Sequence, residues 1–277
     1  MSDAFFGFGS LPAGMDGKIV ADEVGLEFGI YGPFRLRCVI QPVFGHDSGR
    51  LTPVAADARV VPYLKGQTVT MPEFLTEVAE ADRSVIARIC GLLPLANVHN
   101  LGVDDIAMLF RHEPAAGGAG MEDVDFMVRR LAGEGVEPSR LICGVEGSDE
   151  ELVSALRALG LRIALGGAGQ PDQDAVRRTG ANLVRLDRAS FQRFSADAVT
   201  GRLLRPVVSE LKAHGASVLV EGIDSEAGLE LAIAAGVDLL SGDLLEPSML
   251  VGSVFDEGPR EASQYRRGDC IVIPLFG

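Results

Sequence analysis

Short apolar runs recur along the chain, and this recurrence restricts the fold more than any other feature of the sequence. Each run is bounded by turn-forming residues, and most runs are separated by a segment with helical periodicity. The runs lie at 36–44, 52–60, 95–99, 141–145, 162–165, 183–186, 218–221 and 237–240. Alternation of this kind is typical of βα units. Because most runs are apolar throughout, they suit parallel strands that are covered on both faces.

The number and spacing of these runs predict a closed barrel. Eight βα-type strands are the count of a TIM-like α/β barrel. The first two runs are separated only by residues 46–50, which is too short for a helical crossover, so they must form an antiparallel hairpin. The sequence therefore predicts a (β/α)8 barrel with an antiparallel first strand.

Helix boundaries can be read from capping residues. Thr70 and Glu73 have the spacing of a capping box with Pro72 in the first turn, and Ser148 and Glu151 have the spacing of a second box. Glycines that follow a helical pattern and precede a strand predict helix ends. These glycines are Gly91, Gly135, Gly160, Gly180, Gly215 and Gly236.

Three segments follow from this pattern. We expect an N-terminal extension at 1–30, the barrel at 31–256 and a C-terminal tail at 257–277. The tail ends in an apolar stretch, residues 269–274, that could pack as a strand on its own barrel, contact another molecule or stay disordered. The sequence leaves these three alternatives open.

Charge and composition exclude several classes of function. The chain has 39 acidic and 25 basic residues, a formal net charge of -14, which repels nucleic acid polymers and anionic membranes. No apolar run approaches the roughly 20 residues of a membrane span, and the start has no signal-peptide pattern, so we expect a cytoplasmic protein. The four cysteines and four histidines show no metal-binding spacing, so no zinc site is expected.

A specific resemblance begins at Val39–Val43, which contains Gln41 followed by proline. This stretch, followed by Gly49-Arg50, is similar to the opening of the EAL domain, the cyclic di-GMP phosphodiesterase fold. Further stretches over residues 33–250 resemble that family in the same order. They are Leu95–Val98, Leu159–Leu165, Leu183–Asp187, Val220–Ser225 and Gly236–Pro247.

The resemblance implies metal-dependent phosphodiester hydrolysis, but this chain lacks several of the residues that the reaction requires in the family. Hydrolysis of a phosphodiester in this family needs two divalent ions, and carboxylates at the strand ends hold them. The signature Glu corresponds to Ala55, a second Glu to Gly144, and the paired aspartates to Gly166 and Gly167. We therefore predict that the ancestral Mg2+ or Mn2+ site is absent, that the chain has no metal cofactor and that it is not an enzyme.

The residues that remain resemble a nucleotide-binding set. They are Gln41, Arg59, Asn97, Arg185, Asp187 and Glu221. Two other roles stay open for single residues: Arg59 could pair with Asp57 or Glu221, and Glu146 could replace a lost ligand if its strand shifts by two residues. The glycine run at 166–169 could also cradle a phosphate.

Three functions follow from the resemblance. The first is a catalytically inactive EAL domain that regulates cyclic di-GMP related signalling through an unidentified protein partner. The second is a receptor that binds cyclic di-GMP without cleaving it. The third is an active phosphodiesterase with rearranged ligands. The resemblance also implies a homodimer.

Overall fold

The computed structural model describes residues 10–103, 105–112, 118–147, 149–166 and 173–265. Its strands are β1 (Ile19–Ala21), β2 (Glu27–Tyr31), β3 (Phe34–Asp47), β4 (Arg50–Leu64), β5 (Gln67–Thr68), β6 (Ala107–His112), β7 (Leu141–Glu146), β8 (Arg162–Gly166), β9 (Leu183–Leu186), β10 (Ser217–Glu221), β11 (Leu239–Ser241), β12 (Met249–Leu250) and β13 (Arg260–Glu261). Its helices are α1 (Met71–Glu77), α2 (Arg83–Ala96), α3 (Met121–Gly133), α4 (Glu150–Ala158), α5 (Gln173–Thr179), α6 (Arg188–Ser195), α7 (Ala198–Ala213) and α8 (Glu226–Ala235).

Eight of these strands close into a barrel. Their order around it is β3-β11-β10-β9-β8-β7-β6-β4, and pairing between β3 and β4 closes the circle. Neighbours from β4 to β11 run parallel, whereas β3 is antiparallel to both β4 and β11. The predicted (β/α)8 barrel with an antiparallel first strand is therefore confirmed.

The hairpin of β3 and β4 sets which residues of the two strands face each other. Ser48 and Gly49 form its turn, and both have positive φ (51° and 88°), as a tight two-residue hairpin turn requires. A register irregularity between Val43 and Phe44 shifts the pairing by one residue, so that Gln41 lies opposite Asp57. The shift thus places the polar residues Gln41 and Asp57 of the two strands side by side.

Small and branched apolar side chains fill the lower barrel. This group, which we call the apolar plug, comprises Val43, Ala55, Ala107, Leu109, Ile142, Ala164, Leu183 and Leu219, with Leu239 packed against it. A second, larger core lies between the barrel wall and the helices and includes Phe74, Phe110 and Phe191. The inward residues that follow the plug along each strand reach the barrel mouth.

The predicted third strand, at 95–99, is wrong. This segment is the last turn of α2 followed by a short 3-10 helix at 98–100, and the third barrel strand is β6. Leu95 belongs to the buried face of α2, which explains why the segment is so apolar. Asn97 therefore caps the end of α2 and is not part of a barrel strand: its amide accepts from the Glu27 backbone N–H at 3.0 Å and donates to the Leu93 carbonyl at 3.0 Å.

The helix caps agree with the sequence at most positions. Thr70 and Glu73 form the predicted capping box. The second predicted box is wrong, because α4 begins after Asp149, whose carboxylate accepts from the Leu152 N–H. Gly91 lies inside α2 and ends no helix, whereas the other predicted glycines follow helices with positive φ.

The N-terminal segment joins the same sheet as the barrel. β1 pairs with β2, and β2 pairs antiparallel with the start of β3. Glu27 of β2 is only 5 % exposed, and burial raises its pKa to about 7 against the opposing charge of Arg130. The residues predicted as an N-terminal extension thus include a hairpin that pairs with the barrel strand β3 and that Asn97 holds through the Glu27 backbone.

The C-terminal segment also pairs with the first hairpin. β12 lies against β3, and β13 lies against β4. The predicted tail strand at 269–274 lies outside the described residues.

Among the helices that the structure describes, none combines the length and apolar character that crossing a membrane requires.

Candidate functional site

Charged side chains from four barrel strands meet at the carboxyl ends of the strands. We call this set the arginine rim: Asp57 and Arg59 on β4, Arg111 on β6, Arg185 on β9 and Glu221 on β10. Each lies beyond the apolar plug on its strand. The carboxyl end is where barrels of this class carry their functional groups.

Arg185 and Glu221 form the central ion pair of the rim. The Nε of Arg185 donates to Oε1 of Glu221 at 2.8 Å, and the arginine side chain is 3 % exposed. Burial acts to raise the pKa of Glu221, but the guanidinium groups of Arg185, Arg111 and Arg59 together outweigh it and hold that pKa below its usual range. Glu221 is therefore an ionised carboxylate whose charge a resident arginine neutralises.

Arg111 bridges the two carboxylates of the rim. Its Nη2 lies 3.3 Å from Oδ2 of Asp57 and 3.4 Å from both carboxylate oxygens of Glu221. Asp57 is almost fully buried, and this burial raises its pKa even though Arg111 pulls the pKa down. The second oxygen of Asp57, Oδ1, has no hydrogen-bond partner among the described residues.

The Arg185 guanidinium occupies the space in front of β7 and β8. A Cβ atom at Gly144 would lie 3.0 Å from Nη1 of Arg185, and one at Gly166 would lie 3.1 Å from the same atom. These are two positions at which the resemblance places metal-binding carboxylates. Glu146, two residues beyond Gly144, is half-exposed, and its Oε1 lies 3.9 Å from Nη1 of Arg185.

Arg59 stands at the open side of the rim. Its Nη2 donates to Oε1 of Gln41 at 3.0 Å and to the Ser248 hydroxyl at 2.9 Å, and its Nε lies 3.4 Å from Asp57. The Gln41 amide in turn donates to Asp243 at 2.9 Å. The Arg59 side chain is nevertheless 40 % exposed, so it can bind an anion from solvent.

The structure brings together four of the six predicted nucleotide-binding residues: Gln41, Arg59, Arg185 and Glu221. Asp187 instead caps α6, and its carboxylate accepts from the Ser190 N–H at 2.7 Å. The prediction that Asn97 lies in the third barrel strand is wrong, because Asn97 caps the end of α2. Gly167 and the rest of the glycine run after Gly166 lie outside the described residues.

Of the rim residues, the sequence named Asp57 only as a possible partner of Arg59, a pairing that the structure shows at 3.4 Å, and Arg111 was not predicted. Ala55, the position of the signature Glu, is buried in the apolar plug, and the next inward residue of β4 is Asp57. Arg111 lies on the strand that the sequence prediction did not find. Its signal is a lone arginine at the end of the apolar run 106–110.

The rim balances its charges internally. Arg59, Arg111 and Arg185 face the carboxylates of Asp57, Glu221 and the outlying Glu146. Within the described ranges, no group of three or more His, Cys, Asp or Glu side chains is arranged to hold a metal ion. The three guanidinium groups are thus matched by three carboxylates, and Arg59 is the most exposed of the three arginines.

Comparison with known proteins identifies the fold family. The model of the EAL domain family matches residues 35–248. Comparison with curated proteins gives no significant sequence match.

Several solved structures share the fold. The Klebsiella pneumoniae BlrP1 manganese and cyclic di-GMP complex is 16 % identical, with a TM-score of 0.67 over 88 % of this chain and 62 % of that chain. The EAL domain of Xanthomonas citri FimX with cyclic di-GMP is 19 % identical, with a TM-score of 0.65 over 82 % of this chain and 91 % of that one.

The Bacillus subtilis YkuI protein, in complex with substrate cyclic di-GMP and calcium, is 15 % identical with a TM-score of 0.64. The match covers 80 % of this chain and only 57 % of the YkuI chain, so the present chain spans little more than half of that protein. The family match covers most of this sequence, and the shared barrel agrees with it. The chain belongs to the EAL domain family.

Proposed function

We propose that this chain is an EAL domain that does not hydrolyse cyclic di-GMP and regulates cyclic di-GMP related signalling through a protein partner, as a homodimer in the cytoplasm. The observation that carries the proposal is the position of the Arg185 guanidinium against Gly144 and Gly166. The Arg185 side chain fills the space that carboxylate side chains at positions 144 and 166 would need.

Charge and space both oppose a metal pair at the rim. Hard divalent ions need several oxygen ligands, and their affinity grows with the number of ligand charges. Here the Glu221 carboxylate already binds Arg185 and Arg111, and a dication close to either guanidinium would be repelled. Without two dications, no activated water and no stabilised leaving oxygen are available for phosphodiester hydrolysis.

A hydrolysis assay tests this part of the proposal. Purified protein is incubated with cyclic di-GMP and either Mg2+ or Mn2+, and the linear product is measured. We expect no turnover above a protein-free control. Metal-dependent turnover that disappears in Glu221→Gln would contradict the proposal, because that result would place the activity at the rim rather than in a contaminant.

A second candidate function, a cyclic di-GMP receptor, is favoured by Arg59. Its guanidinium is held by Gln41 and Ser248 but remains 40 % exposed, which suits a bidentate contact with a phosphate. The solved relatives named above are complexes with cyclic di-GMP. In this chain the rim would supply arginines where a metal-dependent site supplies ions.

A calorimetric titration separates the two functions. If the chain is a receptor, cyclic di-GMP binds equally well with and without Mg2+, and Arg59→Ala weakens binding about 10- to 100-fold, as loss of a charged hydrogen bond predicts. Arg129→Ala is the matched control, because Arg129 is 78 % exposed and its ion pair is with Asp125 on the same helix. Absence of heat in the wild type would exclude the receptor and leave the partner-binding function.

A further inference from the structure

An apolar cavity lies outside the barrel, between its wall and the first two helices. Its volume is about 640 Å3, within the size range of small-molecule sites. The barrel wall contributes Ala58 and Val60, which alternate on β4 with the inward-facing Asp57 and Arg59. The cavity therefore lies on the outer side of the wall and meets the barrel mouth at Arg59 and Arg111, which line both.

The lining of the cavity is mostly apolar. The side chains that form it include Met71, Leu75, Ile86, Ala87, Pro94 and Ala119. Leu75 is 36 % exposed, which leaves an apolar edge at the opening. Arg83 and the Arg59 side chain are also solvent-exposed, so the cavity is open to solvent along this side.

Polar groups converge on the cavity. Arg59, Arg83 and Arg111 line it. His112 also lines it, is 3 % exposed, and its Nε2 has no hydrogen-bond partner among the described residues. Burial lowers the pKa of His112, which favours the neutral imidazole. Depending on its tautomer, Nε2 of a neutral imidazole can donate one hydrogen bond to a bound molecule or accept one from it.

We propose that this cavity binds an organic anion with an apolar body, of the medium-chain carboxylate class. The apolar body would lie against α1 and α2, and the carboxylate would reach the guanidinium groups of Arg59 and Arg111. A buried, unpaired imidazole nitrogen is costly to leave unsatisfied, and a ligand carboxyl group would satisfy it. Because Arg59 also borders the barrel mouth, a ligand in the cavity would change the contacts of Arg59 within the arginine rim.

Calorimetry with decanoate tests the proposal directly. Decanol keeps the apolar body without the charge, and acetate keeps the charge without the body. We expect decanoate to bind, decanol to bind at least about tenfold more weakly and acetate to give no measurable binding. No binding of decanoate at millimolar concentration would overturn the proposal, and so would equal binding of decanol.

A cavity-filling variant locates the site. Ala87→Phe places a ring in the cavity and is expected to weaken decanoate binding at least about tenfold without lowering the melting temperature. Ala155→Phe on the exposed face of α4 is the matched control and should bind decanoate as the wild type does. If Ala87→Phe lowers the melting temperature, Leu75→Asp at the opening serves in its place. Undiminished binding in the stable variant of this pair would overturn the proposal.

Discussion

The barrel interior has two layers with opposite chemistry. The apolar plug is packed from side chains such as Val43 and Leu219, which are nearly inaccessible to solvent. The arginine rim directly above it is also largely buried, but it consists of paired charges centred on Glu221 and Arg185. The plug is stabilised by burial alone, whereas every buried charge of the rim depends on its partner. Substitutions in the two layers should therefore have different consequences.

The largest effect is expected when one partner of the central ion pair is removed. Glu221→Ala leaves the guanidinium of Arg185, which is 3 % exposed, without its 2.8 Å partner. The free energy of unfolding should fall by about 3 to 5 kcal/mol, measured by urea denaturation. Arg185→Met combined with Glu221→Leu removes both charges and should cost far less. Equal losses of stability in the two variants would contradict the claim that each buried charge of the rim depends on its partner.

In the plug, the expected cost comes from a cavity. Leu219→Ala removes a side chain that is 1 % exposed and should lower the free energy of unfolding by about 3 to 4 kcal/mol. No second substitution in the rim should compensate for it. Leu203→Ala on α7, where the side chain is 54 % exposed, is the control and should change stability by less than about 0.5 kcal/mol. A similar loss at both leucines would contradict the assignment of the plug.

Glu27 can be compared with the paired carboxylates of the rim, because it is a buried carboxyl group without an ion pair within the described part of the chain. Its pKa is raised by burial from 4.5 to about 7. Folding therefore favours the protonated form, and the stabilisation present below pH 4.5 is lost as the pH rises through about 7. Relative to Glu27→Gln, the wild type should lose about 3 kcal/mol between pH 4 and 8. Parallel stability curves would contradict this placement of Glu27.

The smallest effect is expected at Asp57. Its pKa is raised by burial, so Asp57→Asn should change stability by less than about 1 kcal/mol at acidic pH. As the pH rises through the raised pKa, the wild type should lose stability relative to that variant. Glu221→Gln should give the opposite slope, because the lowered pKa of Glu221 means that its contribution is lost as the pH falls. Slopes of equal sign in urea titrations would refute the different roles of the two carboxylates.

Most of the barrel could be predicted from the sequence, because buried parallel strands are apolar throughout and their turns contain glycine. The error at 95–99 has a physical reason. The buried end of α2 is as apolar as a strand, and Pro94, which normally disfavours a helix interior, lies inside that helix. The true strand, β6, has an apolar run of similar length that ends in Arg111 and His112. Length and composition alone do not separate these two segments.

The rim was harder to predict because it depends on register. Counting residues along the sequence from Gln41 identifies Ala55 as the signature position. In the structure, however, the register shift in the hairpin places Asp57 opposite Gln41. A one-residue irregularity is not visible in a single sequence. Asp187 had a clearer signal, since an aspartate before a helical segment is a typical N-cap. Its capping role could have been foreseen.

The central claim is that the arginine rim holds no pair of divalent ions. Binding of Mn2+, followed by electron paramagnetic resonance in the presence of cyclic di-GMP, tests this claim most directly. The account predicts that millimolar Mn2+ stays free in solution with the wild type and with Glu221→Gln alike. Two Mn2+ ions bound per chain, and lost in Glu221→Gln, would contradict it.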